Sequence, residues 1–173
     1  MVESFERAKS TWHRWIDEHF DHAFQLSDAD PLVDWFRTSK PQRLKRILVT
    51  PGDPTTEVLA LCMMAKLGAF LTADGGRLQC VEIRIDETPT NTAIFKGDPL
   101  AALPPSIAPD RWWTRADMSI NDLHSVKTQG AADMAVAAER SILLRKYFLH
   151  FRVKERRLVG PPYFVASPVA SRQ

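Results

Sequence analysis

"RLQCVEIRIDETPTNTAIFKG", residues 77–97, decides how the rest of the chain is read. Val81, Ile83 and Ile85 fall on one face of an extended segment, and Glu82, Arg84 and Asp86 on the other. The turn "TPTN" follows, then a second short run, "TAIFK". A period of two interrupted by a turn predicts an antiparallel hairpin with one apolar face. Carried one step further, the same register puts Glu87 on that apolar face.

A lone hairpin does not hold itself together in water, so its apolar face needs a covering layer. The segment upstream, "PGDPTTEVLALCMMAKLGAFLTADGG" (51–76), supplies one. Asp53 as N-cap, Pro54 at the first helical position and Glu57 in the first turn predict a helix start, and Gly75 and Gly76 a stop. Apolar residues from Val58 to Leu71 cover most of the circumference, which predicts a mostly buried helix.

Residues 4–20 place Phe5, Ala8, Trp12, Trp15, Ile16 and Phe20 at helical spacing, with Ser4 as the expected N-cap. "DEHFDHAFQLSD" (17–28) then sets Asp21 and His22 side by side at the C-terminal end of that helix. Consecutive helical residues point about 100° apart. The two act together only if the chain leaving the helix turns them toward one another; otherwise they are a surface charge pair. "SDADP" is expected to end the helix, because Asp30 before Pro31 disfavours helical geometry. A short helix near 32–37 and a brief strand, "RILVT", are expected before Pro51.

With 173 residues, 45% apolar and 25% charged, the chain has the composition of a soluble globular protein. Cys62 and Cys80 form neither a disulfide framework nor a metal-type spacing and suit a reducing cytoplasm. "MVESFERAKS" is unlike a signal peptide, and the longest apolar run, 58–71, carries Lys66 and is expected to be too short to span a membrane. Residues 1–97 hold 12 Lys+Arg against 14 Asp+Glu and residues 98–173 hold 11 against 7, so the basic excess lies in the second part. Four prolines between Pro99 and Pro109 mark a connector. The expected division is 1–97, a connector 98–129, and a basic extension 130–173 of one helix, "AADMAVAAERSILLRKYF", and short strands, "FLHFRVKERRLVGPPYFV". Those strands are expected to cover an open edge of the hairpin. Trp112 and Trp113 are expected to pin the connector by packing. Arg152, Lys154, Arg156 and Arg157 could touch phosphates, although a solvated strand face explains them more simply, and no nucleic-acid partner is expected.

Four segments in order resemble the 6-pyruvoyl and 6-carboxy tetrahydropterin synthases: "MVESF", "FDHAFQL", "DPTTEVLA" and "VEIRIDETPTNTAIFKG". The first resembles Met-Val-x-Asp-Phe, with Ser4 where that family has Asp. The others resemble Leu-Asp-His-x-x-Leu-Asn, Asn-Pro-Thr-x-Glu-Asn-Leu-Ala and the closing Glu-Thr hairpin. The resemblance implies an α+β fold, a partial tetrahydropterin synthase unit (T-fold) with two helices packed on an antiparallel hairpin, followed by an α/β extension. It implies catalytic roles for Asp21 and His22, a pterin anchor at Glu87, and a pterin-side position for Thr55 and Thr56. Chemistry agrees: a carboxylate accepts bidentately from a flat pair of N–H donors such as a pterin edge. An imidazole exchanges protons near neutral pH.

The resemblance also implies zinc on three histidines and a cysteine nucleophile or base, all in a part of the family that precedes the matched segments. His13, His19, His124 and His150 offer no readable ligand set, and Cys62 and Cys80 stand elsewhere. Three explanations stay open: Met1 is an internal methionine of a longer gene, another chain supplies the zinc half, or catalysis is lost. The implied function is lyase-type, 6-carboxytetrahydropterin synthase-like chemistry on dihydroneopterin triphosphate, toward queuosine-type deazapurines or pterins. It is expected in a cytoplasmic homo-oligomer, or with a partner chain, and without a membrane. The alternative is a non-catalytic pterin-binding or assembly protein.

Overall fold

The computed structural model describes residues 2–104, 111–124 and 148–155. The helix expected over 131–148 lies outside them except for Phe148, as do Arg156 and Arg157.

The organising element is α3, Thr56–Ala73. It starts two residues later than the sequence predicts. The Thr55 amide bonds the Asp53 carbonyl at 2.8 Å, closing a tight turn at Pro54, and Thr55 becomes the cap, its hydroxyl accepting from the Val58 amide at 3.3 Å. It stops as expected. Gly75 and Gly76, at φ 101° and 65°, adopt the left-handed backbone, and their amides reach the carbonyls of Thr72 and Leu71, satisfying the last turn. Leu59, Cys62, Met63 and Leu67 on its several faces are each at most 1% exposed. By length and composition α3 is apolar enough to cross a membrane, contrary to the estimate from the uninterrupted run, but here it is the core helix.

One side of α3 rests on an antiparallel sheet of β3 (Leu78–Thr88), β4 (Asn91–Phe95) and β5 (Phe148–Glu155), in the order β4–β3–β5. Ile83 and Ile85 are fully buried as the alternation predicts, but Val81 is not. A bulge between Cys80 and Glu82 shifts the phase, so Cys80 takes the inward position at 4% exposure. The expected hairpin is β3–β4, and β5 covers the other edge of β3 from Leu78 to Asp86, as anticipated for the tail. The outer face carries ion pairs across the strands. Glu82 meets Lys96, just past β4, at 3.0 Å and Arg152 of β5 at 3.9 Å; Asp86 meets Arg84 at 2.9 Å and His150 at 3.5 Å.

The opposite flank of α3 is aromatic. Helix α1 (Val2–Trp15) begins before Ser4, which is therefore inside the helix and not its cap. It continues into a π turn, Ile16–Phe20. Trp12 and Trp15 stack at 5.5 Å, Trp15 stacks on Phe20 at 6.2 Å and on Trp112 at 5.6 Å, and Trp12 meets Phe151 of β5 edge-on. Trp112 and Trp113, 1% and 2% exposed, bury the connector against the core, as expected.

The sequence gives no hint of a parallel pair, β1 (Phe24–Ser27) with β2 (Ile47–Thr50). Between them run α2 (Pro31–Ser39) and a 3-10 turn (Pro41–Arg46). Asp30–Pro31 opens a helix and does not end one: the Asp30 carboxylate accepts from the Leu32 amide at 2.8 Å, and Pro31 occupies a first-turn position where no amide is needed.

Among the described residues, Lys66 is the one charged group sealed among these apolar surfaces, at 0% exposure. Its ammonium donates to the Trp112 carbonyl at 3.0 Å and to Asp117 at 3.4 Å, over the rings of Trp15 and Phe70. Burial lowers its pKa to about 8, against the pull of Asp117. Between that value and the ordinary 10.5, the native state holds a neutral amine while the unfolded chain still binds the proton, so stability rises with pH across this window. The full rise amounts to about 3 kcal/mol. Urea denaturation of wild type and Lys66→Met between pH 7.5 and 10.5 should show this gain in the wild type alone; parallel profiles would contradict it.

Glu82 and Asp86 are held below their ordinary carboxyl values, Glu82 chiefly by the Lys96 hydrogen bond and Asp86 chiefly by the Thr92 hydroxyl. That contribution is complete above the ordinary values, 4.5 and 3.8, and fades as pH falls through the depressed ones. Hydrogen-exchange protection of the β3–β4 hairpin should drop below that range before protection of α3 does. Equal loss in both would show that these contacts do not secure the hairpin.

Candidate functional site

The end of β3 meets the start of α3. Asp86 pairs with Thr92 and Thr88 with Asn91, which leaves Glu87 as the extra residue of a bulge. The bulge turns its side chain toward the helix, where the Thr56 hydroxyl donates to Oε2 at 2.9 Å and the Asn91 amide donates to the same oxygen at 2.5 Å. Asn91 is itself placed by the turn, its backbone amide bonding the Thr88 hydroxyl at 2.9 Å. A hollow of about 350 Å³ opens here, lined by Asp53, Pro54, Thr55, Thr56, Glu57, Glu87 and Asn91.

Three of the five expected site residues therefore converge: Glu87, Thr56 and Thr55. Glu87 is half-buried and oriented, not free in water. The first amides of α3 add a positive partial charge that favours an ionised carboxylate at this point. Such a group suits a flat ligand edge carrying paired N–H donors. Asn91 is the participant that the sequence reading missed. Its signal is positional, since it closes the turn four residues after Glu87 and is the one amide side chain there.

Asp21 and His22 also meet, by a device the sequence does not spell out. The Asp21 amide bonds the Ile16 carbonyl at 2.7 Å, closing the π turn, and Asp21 then leaves in an extended conformation. His22 follows in the left-handed region, φ 61°, and the Ala23 amide returns to the Phe20 carbonyl at 3.0 Å. This reversal folds the imidazole back onto its neighbour, with Nε2 3.3 Å from Asp21 Oδ2. Both side chains are about half exposed, 52% and 48%. With Nε2 facing the carboxylate, Nδ1 is the nitrogen left to take a proton from a substrate.

Neither Asp21 nor His22 lines the hollow beside Glu87. Phe24 pairs with Ile47 and Ser27 with Thr50. The Asp21–His22 turn thus enters the parallel pair at one end, and the loop toward Thr56 leaves at the other, about 13 Å along the strands. The stacked Trp15 and Phe20 set the π turn beside Lys66, ten residues and about 15 Å along α3 from Thr56. Two larger hollows, one near Met64 and Lys154 and one near Asp28 and Trp113, contain none of the five residues.

The donors present do not fit zinc. His19 lies beside Glu18, His22 beside Asp21 and His150 beside Asp86, on three separate elements, and His13 packs on Phe151. Among the described residues no three His, Cys, Asp or Glu side chains converge. Burial lowers the pKa of His19, against the pull of Glu18. Burial also pushes the Cys62 thiol up, and the Cys80 thiol up to about 11, so both stay protonated at neutral pH and neither serves as the nucleophile the resemblance implies.

The family model described as 6-pyruvoyl tetrahydropterin synthase matches residues 1–98. No curated protein and no solved structure matches the chain. The match ends just past the hairpin, and it contains both Glu87 and the Asp21–His22 pair. With helices on one face of an antiparallel sheet and a family match over more than half its length, the chain belongs to the 6-pyruvoyl tetrahydropterin synthase family.

Proposed function

We propose that this chain is a tetrahydropterin synthase-like protein that binds a pterin through Glu87, and that its chemistry is 6-carboxytetrahydropterin synthase-like, acting on dihydroneopterin triphosphate. The observation that carries the reading is the oriented carboxylate: Glu87 sits on a bulge, fixed by Thr56 and Asn91, at the rim of a hollow beside a helix start. The 2-amino and ring N–H groups of a pterin form the donor pair such a group accepts. Asp21 and His22 move the proton, with Asp21 holding the Nε2 side of the imidazole and Nδ1 serving as base next to a carbonyl.

Because the pair and the anchor stand at opposite ends of the β1–β2 pair, the pterin held by one chain meets the Asp21–His22 pair of another, in a homo-oligomer or with a partner chain. The family's zinc would polarise the substrate oxygens; the described residues do not hold it, so the ion and its ligands come from elsewhere or are lost. That same donor set favours a second reading, a pterin-binding or assembly protein without catalysis. The buried protonated thiols are compatible with a reducing, cytoplasmic setting.

Titration with neopterin followed by its fluorescence should show binding that weakens about 10- to 100-fold in Glu87→Gln, the range expected for one charge-assisted contact. Unchanged affinity in that variant would remove the anchor. Turnover of dihydroneopterin triphosphate with zinc present should fall about 10²- to 10⁴-fold in His22→Ala, with neopterin affinity kept. A wild type that binds neopterin but turns nothing over would favour the second reading.

A further inference from the structure

We infer that Arg46 is a positioning residue for the Asp21–His22 pair; the inference rests on the proton-transfer role proposed for that pair. Arg46 ends the 3-10 turn and precedes β2. The register Phe24↔Ile47 carries it alongside Ala23, one residue from His22. Its Nη1 donates to two carbonyls, that of Glu18 at 3.3 Å and that of Asp21 at 3.1 Å.

Those carbonyls belong to the end of the π turn, where carbonyls lack helical partners and the partial charge is negative. A cation there meets both needs. The exposed ion–dipole contact contributes little to global stability; its consequence is local. The π turn has one residue more than an α turn, and that residue turns Phe20 onto Trp15 while setting Asp21 and His22 outside. His22 then holds a left-handed backbone, which a β-carbon disfavours and which persists only where the surroundings fix it. Arg46 bridges the Glu18 carbonyl within the π turn and the Asp21 carbonyl just past it. Without it, the turn is free to revert toward α-helical hydrogen bonding, in which neighbouring side chains diverge and the 3.3 Å contact between Asp21 and His22 opens. The segment from 31 to 46 thus has a function at the site as well as in connecting β1 to β2.

Both bonds leave from a single nitrogen, so a lysine ammonium can replace them. The test compares Arg46→Ala and Arg46→Lys in the full chain with two readouts. Imidazole ¹⁵N shifts of His22 report its Nε2 contact with Asp21. Steady-state kinetics on dihydroneopterin triphosphate with zinc separate kcat from KM. Arg46→Ala should move the His22 shifts and lower kcat about tenfold, with KM within about twofold, as expected for a misplaced group that does not bind substrate. Arg46→Lys should restore both. An alanine variant that melts like the wild type and keeps the wild-type His22 shifts overturns the inference. If the wild type shows no turnover, the proton-transfer reading fails by itself, and the His22 shifts still decide whether Arg46 positions the pair.

Discussion

An eighteen-residue helix that is apolar on every face cannot lie on a surface, and α3 is such a helix. Everything around it is arranged to cover it. The β4–β3–β5 sheet takes one side, the Trp12–Trp15–Phe20 ladder another, and the connector tryptophans close the rest. Lys66 shows how complete the enclosure is. A cation midway along the helix has no route to water, so the Trp112 carbonyl and Asp117 must come to it, which draws the connector down onto the core.

The same constraint fixes where chemistry can occur. At the first turn of α3 the Thr56 hydroxyl and the Glu87 carboxylate join helix to strand. The first helix packs against the middle of α3, so the Asp21–His22 turn emerges far from that joint. Glu87 and the Asp21–His22 pair are therefore held apart, on elements that share a core. Members of the family to which the chain belongs typically assemble as oligomers. Edge coverage by β5 gives β3 a second partner from outside the family-matched segment.

Much of this was legible in the residues, for reasons that differ by element. The hairpin announced itself because a half-buried strand must alternate, and the stop of α3 because only glycine takes φ near 100° without cost. The inward aim of Glu87 followed from counting twos, although the bulges at Val81 and Glu87 that set the actual phase leave no compositional mark. β1 was invisible: four residues, "FQLS", paired in parallel with a strand twenty-three positions away, carry neither length nor periodicity. The start of α3 was misplaced because Asp53–Pro54 has the form of a cap, while Thr55, two residues further on, fills the role. Asp21 and His22 were recognisable as a pair by resemblance, but their contact depends on a left-handed histidine and a π turn, and nothing in side-chain chemistry foretells either. Arg46 looked like one more surface charge, because its partners are backbone carbonyls.

The most direct measurement is a crystal structure of the chain with neopterin bound. The N–H edge of the pterin should lie on the Glu87 carboxylate, within hydrogen-bonding reach of the Thr56 and Asn91 corner. The ring should lie out of contact with His22 of the same chain. A ring bound away from Glu87, or one touching Glu87 and His22 of a single chain, would contradict this placement.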